Sequence, residues 1–168
     1  MAGDNNSTPS AISGLGKAYR RILVASGGAP HSQAAVARAV ELAASLGAEL
    51  HVVSIVQSVS PAPALAEVPS AGPAVQDAWE DLRSRRQAAL DAAVRIAGER
   101  GVRAIPHLET TPAVASAIVG TASEHGCDLI VVGRRRLSAL GAAILGSVSE
   151  AVNHASPVDV LIVRQPHA

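Results

Sequence analysis

The residues best placed to do chemistry in this chain are two glycines and a serine that bracket an arginine-bearing loop: Gly133, then Gly146 and Ser147. Gly133 ends the apolar run 129–132 (LIVV). Gly146 and Ser147 lead into SVSEAVNHA, where Val148, Ala151, Val152 and Ala155 recur at helical spacing. Ser147 with Glu150 three residues on reads as a capping box, which starts a helix there. Strand, glycine-flanked loop and helix N-terminus together present backbone N–H groups and the positive end of a helix dipole, a site for phosphate. The same pattern also serves loop-to-helix packing without a ligand, since glycine and serine are common at helix starts.

Other chemical candidates stand near this loop. Arg134, Arg135 and Arg136 could add charge-assisted hydrogen bonds to a phosphate, or fill the pocket, or face solvent. Ser138 and Ser147 read equally as hydroxyl contacts or as loop and cap residues. His31 follows the first strand, where it could touch a phosphate or be solvated. Phosphoryl hydrolysis needs a group to position water and usually a carboxylate for a metal. Asp128 precedes its strand at the wrong end, and Glu150 is better read as a cap. His51, His107, His125 and His154 show no metal-ligand spacing with one another or with Cys127, so no metal site is expected.

The elements that position these residues follow from periodicity. Residues 22–25 (ILVA) and 49–56 (ELHVVSIV) read as strands. Between them Ser32 is placed to cap a helix carrying Val36, Val40, Ala43 and Leu46, which Gly47 stops. Two strands joined by a helix make a right-handed parallel unit. Pro61, Pro63, Pro69 and Pro73 make residues 57–73 a connection, read as a loop or flap. Residues 75–100 are helical, with Leu82, Ala89, Ala93 and Ile96 inward and Asp81, Arg85, Arg86 and Asp91 on a solvated face. A strand follows at 102–108, with Pro106 near its end. Pro112 then opens a helix with Val114, Ile118, Ala122 and Val119 facing inward, and Gly126 terminates it. After the 129–132 strand and the Ser147 helix, the last strand begins at Val158 and closes at Val163.

The resulting order is an α/β fold: a five-stranded, parallel-type, doubly wound sheet with four helices. Ligands on such sheets bind beyond the carboxyl ends of the strands, which selects the loops after the first and fourth strands. Residues 1–18 lack sustained periodicity and read as a flexible N-terminal tail; residues 19–168 make one domain. Hydrophobic residues are 48% of the chain, yet Phe is absent and Trp and Tyr occur once each, so the core must be aliphatic. Fourteen basic and fourteen acidic residues cancel, which gives no charge argument for a nucleic-acid partner. The single Cys127 excludes an intramolecular disulfide and reads as a small core or edge residue. With no secretory signal and no apolar run near eighteen residues, a soluble cytoplasmic protein away from membranes is expected.

The sequence resembles the universal stress protein family over about residues 20–164. RILVASGGAPHSQAAVARAVELAASLGAELHVV looks like the family's opening segment; CDLIVVG with ILGSVSEAVNHASPVDVLIV looks like its closing one. Residues 57–100 match only in pattern. The family's phosphate signature is Gly-x2-Gly-x9-Gly-Ser/Thr. Gly133, Gly146 and Ser147 stand at its positions, whereas Arg136 replaces the second glycine. The nucleotide binders of the family usually carry an Asp after the first strand, where this chain has Gly27.

The resemblance implies an adenine nucleotide alpha hydrolase-like fold and, as ligand, ATP or a related adenine nucleotide, with Mg accompanying ATP. Carried over by position, adenine and ribose would lie near Ala25, Ser26, Gly27, Ile55 and Val132. Phosphates would contact Gly133, Arg136, Gly146, Ser147 and Val148. The resemblance also implies a homodimer through the last strand and a stress-response role read by an unidentified regulatory protein. The alternative is a nucleotide-independent interaction module of the same fold, which Gly27 and Arg136 favour. No catalytic residue is expected, and weak ATP hydrolysis is the third reading.

Overall fold

The computed structural model describes residues 19–58, 73–134 and 147–165. The sequence-based readings of the N-terminal tail, of most of the proline-rich connection, and of Arg135, Arg136, Ser138 and Gly146 lie outside those residues.

Among the described residues the strands are β1 (Arg21–Ala25), β2 (Glu49–Gln57), β3 (Ala104–Thr111), β4 (Leu129–Gly133) and β5 (Asp159–Val163). The helices are α1 (Pro30–Leu46), α2 (Pro73–Glu99), α3 (Val114–Glu124) and α4 (Ser147–Ala155). All neighbouring strand pairs are parallel, in the order β3-β2-β1-β4-β5. The chain therefore starts in the middle of the sheet, winds outward to β3, then crosses back to β4 and β5. Side chains alternate between faces along each strand. Ile22, Val24, Leu50, Val52 and Val131 pack with small residues of α1 and α2, such as Ala35, Ala39, Ala93 and Ala97. Leu23, Val53, Ile55, Ile130 and Val132 face the other way, onto Ile118 and Ala122 of α3 and Val152 of α4. An alanine-rich helix face lets its backbone lie close to an aliphatic sheet, and that closeness fills the space that aromatic rings would otherwise occupy.

Several local details differ from the sequence expectation. Ser32 does not cap α1. The helix begins three residues earlier than that cap implies, at Pro30 with Ala29 as N-cap, because proline suits a first-turn position where no N–H is needed. Ser32 instead ties the turn together: its hydroxyl donates to the Ala29 carbonyl (2.8 Å) and accepts from the Gly27 N–H (3.2 Å). Gly47 does end α1, in the left-handed region at φ 64°, with its N–H on the Ala43 carbonyl. Strand β3 runs on to Thr111, and α3 starts at Val114 rather than Pro112. Pro106 is accommodated because β3 is an edge strand, where a missing N–H leaves no neighbouring strand unpaired. The Asp128 carboxylate accepts from the Arg20 N–H (2.9 Å) and the Arg21 N–H (3.1 Å), fastening the start of β1 to that of β4. That is a structural task at the end of the sheet away from the Gly-rich loop.

Cys127 is buried, and burial pushes its thiol up to about 11. At pH 8 the thiolate, the reactive form, is then roughly a thousandth of the total. Native protein is expected to resist iodoacetamide at pH 8 and to be alkylated promptly once denatured. Mass spectrometry of the alkylated chain checks this.

Candidate functional site

The strand order reverses between β1 and β4, and a cavity of about 610 Å³ opens beyond the carboxyl ends of these strands. This is the crevice in which open α/β sheets take their ligands. Its floor is apolar: Val53 and Ile55 of β2 and Val132 of β4, with Val114 and Ile118 contributed by α3. Its upper wall is polar. Ser26 and Gly27 follow β1, His31 and Ser32 lie in the first turn of α1, and Ser149 lies in the first turn of α4. Ser26 is held in place by its N–H, which donates to the Val53 carbonyl (2.8 Å) and extends the β1–β2 ladder by one residue.

Of the residues singled out from sequence, Ala25, Ser26, Gly27, Ile55, Val132, Gly133 and Val148 all line this one cavity. Ser147 opens α4 next to Val148. Arg136 and Gly146 belong to the segment outside the described residues.

The two glycines at the rim are glycine for different reasons. A Cβ on Gly133 would lie 2.1 Å from the His31 carbonyl oxygen and 2.6 Å from its carbon. The first turn of α1 thus rests directly on the end of β4, and the absence of a side chain at 133 is a packing requirement before it is a ligand contact. A Cβ on Gly27 would meet only the tip of a side chain, Nη1 of Arg86, at 2.6 Å.

Arg86 is the residue that the sequence reading missed. The sequence pattern puts it on a solvated face of α2; in the structure it is half-buried and reaches into the cavity, where Nη1 donates to the Gly27 carbonyl at 2.5 Å. Its Nε is buried with no protein partner. The signal was present in the spacing: Arg86 precedes Leu90, Ala93 and Ala97, the buried stripe of α2, by four, seven and eleven residues. No carboxylate lines the cavity among the described residues, so its one permanent charge there is positive. A buried donor awaiting an acceptor, serine hydroxyls and an apolar floor together suit a flat, partly apolar ligand that carries negative charge.

Comparison with known proteins agrees with this architecture. The model of the universal stress protein family matches residues 18–164. Universal stress protein YxiE of Bacillus subtilis is 33% identical over 150 residues, covering 87% of this chain and 99% of that one. Among solved structures, a universal stress protein family member from Burkholderia pseudomallei superposes with a TM-score of 0.68 at 28% identity, covering 88% of this chain and 98% of that one. A universal stress protein solved in complex with cAMP superposes with a TM-score of 0.63 at 29% identity, covering 89% and 99%. With the matched region running from the start of β1 to the end of β5, this chain belongs to the universal stress protein family.

Proposed function

We propose that this chain binds an adenine nucleotide of the ATP or AMP type in the cavity between β1 and β4, and that occupancy changes a surface read by a regulatory partner. The observation that carries the reading is the cavity itself. It joins an apolar floor, built on Ile55 and Val132, to the first turn of α4, where a phosphate would gain from the helix dipole. Arg86 supplies the compensating charge. The related protein solved with cAMP supports the ligand class. Since no described lining residue is a carboxylate, Mg accompanying ATP would be held by the nucleotide's own phosphates.

Equilibrium dialysis of nucleotide-stripped protein tests the reading. AMP, ATP or cyclic AMP should be retained saturably and should compete with one another. Retention of none of them would favour a nucleotide-independent interaction module. One observation favours that reading: the Arg86 guanidinium stands over Gly27, where the family's nucleotide binders usually carry an Asp.

The proposal includes a homodimer through β5. This strand is at the sheet edge, and Val160, Leu161, Ile162 and Val163 are each only partly covered by their own chain. Unpaired backbone groups beside uncovered apolar side chains favour pairing with a second copy. Light scattering at micromolar concentration should give twice the chain mass; a monomer mass throughout that range would contradict it.

A further inference from the structure

His51, His107 and His125 are separated by 56 and 18 residues in the chain, and the fold brings them to one point. His51 lies near the start of β2, and His107 lies on β3 opposite Val53, two residues further along β2 from His51. Both point to the sheet face that α3 covers. His125 is the residue at the C-terminal cap of α3, which returns it to the same place. One ring nitrogen from each of the three lies within 4.8 Å of the others.

The geometry within the cluster is specific. Nδ1 of His51 and Nε2 of His107 are 3.0 Å apart. The two rings are within 5° of parallel with centroids 5.2 Å apart, so once the ring radii are removed the nitrogens meet almost head-on. The His51 ring is buried, and its other nitrogen, Nε2, lies 3.1 Å from the Glu49 carboxylate. Glu49 is itself held between Arg21 (3.7 Å) and Arg103 (3.6 Å).

We propose that His51, His107 and His125 form a binding site for a divalent first-row transition ion, with Zn²⁺ as its best-fitting occupant. Imidazole nitrogens suit zinc, copper and nickel and do not suit magnesium or calcium. Three histidines with an open fourth position are an established donor set for zinc. Metal-bound histidines usually donate their second N–H to a carboxylate, which fixes the tautomer. Glu49 does this for His51: it accepts a hydrogen bond from the Nε2–H, which leaves the Nδ1 lone pair facing the cluster. In the absence of an ion, the Nε2–H of His107 donates to that lone pair. When an ion binds, the His107 proton resides on Nδ1 instead, and its Nε2 lone pair turns to the metal. The rearrangement moves a proton between nitrogens of one ring and needs no net release.

Zinc with nitrogen ligands near 2.05 Å requires ligand nitrogens about 3.3 Å apart. The His51–His107 nitrogen spacing is already close to that, but the two rings face each other head-on and must turn toward a common point off that line, while the third nitrogen moves in by roughly 1.5 Å at most. The half-buried His125 ring packs against both others, with centroids 5.0 Å from His51 and 4.3 Å from His107, and it must rotate to bring its nitrogen to the ion. The site is separate from the nucleotide cavity: Val53, Ile55 and Gln57, further along the same face of β2, line the cavity, and His51 does not.

The test uses the full chain without an affinity tag, stripped with a chelator and titrated with Zn²⁺ alone at pH 7.5. One ion per chain is expected, with His125→Ala and His107→Gln each weakening binding by more than the ~10–100-fold that loss of an outer-shell partner costs. Glu49→Gln should fall within that ~10–100-fold range. Co²⁺ in place of Zn²⁺ should give visible absorption bands of a tetrahedral nitrogen site, absent from His125→Ala. Each variant is first shown to keep the parent's circular dichroism, and its AMP titration should match the parent's. Failure to take up Zn²⁺ at micromolar concentration would overturn the proposal and leave a Glu49–His51–His107 hydrogen-bonded chain. Uptake that survives both histidine variants would overturn it too, by placing the ion elsewhere.

Discussion

Gly133→Ala is expected to destabilise the protein by about 3 kcal/mol, the upper end of the cost of overpacking a tight contact. The added methyl would meet backbone, the His31 carbonyl oxygen at 2.1 Å and the Ser32 nitrogen at 3.0 Å, so no side-chain rotation relieves it. Either the first turn of α1 lifts away from β4 or the end of β4 bends out of register with Val163 of β5. For a chain of this length, 3 kcal/mol corresponds to a Tm lower by roughly 6–12 °C. Gly27→Ala is the matched control. Its methyl meets the movable tip of Arg86, and the cost should stay within about 1 kcal/mol. Differential scanning calorimetry of the two variants checks the pair. Equal Tm losses would show that α1 does not rest on Gly133 as described. The comparison also cautions that lost ligand binding in a Gly133 variant would first report lost packing.

Arg86→Ala is expected to weaken binding of AMP about 10–100-fold. Hydrogen bonds to charged groups contribute about 1.5–3 kcal/mol, and 1.4 kcal/mol is about tenfold in affinity. Arg86 is half-buried, lines the cavity and donates to the Gly27 carbonyl, so its guanidinium charge lies beside an anionic ligand held there. Arg86→Lys keeps the charge but loses the planar fork, and should fall between the parent and the alanine variant. Tightened binding in Arg86→Ala would show the opposite role, a guanidinium that occupies the place of the ligand.

Those two residues mark what could and could not be read without a structure. The buried runs 22–25 and 129–132 announce central parallel strands because they are apolar on both faces, and the alternation of strands with alanine-rich helices gives the doubly wound order. The cavity was legible for a related reason: Gly27, Val132 and Gly133 sit where strands end, and strand ends in such a sheet converge on one crevice. What sequence could not supply were contacts set by long-range packing. Arg86 enters the cavity because α2 lies over β2 and β3 with its 86-90-93-97 stripe inward. Ser32 is placed by where α1 begins, and the helix starts three residues earlier than a cap at Ser32 implies. His51 and His107 meet only through the β2–β3 register, and His125 only through the return of α3, so no local spacing could have connected them. The resemblance to universal stress proteins singles out Gly133 as a phosphate contact, whereas the structure shows a packing reason for a glycine there, the neighbouring helix.

The central claim is that the cavity between β1 and β4 holds an adenine nucleotide, and isothermal titration of nucleotide-stripped protein with AMP, ATP and cyclic AMP, alongside Gly146→Ala, tests it most directly. The account predicts saturable heat with one nucleotide per chain, weakened in the variant. No heat and no thermal shift with any of the three would contradict it, and would leave the fold as a partner-binding module whose cavity is closed by Arg86.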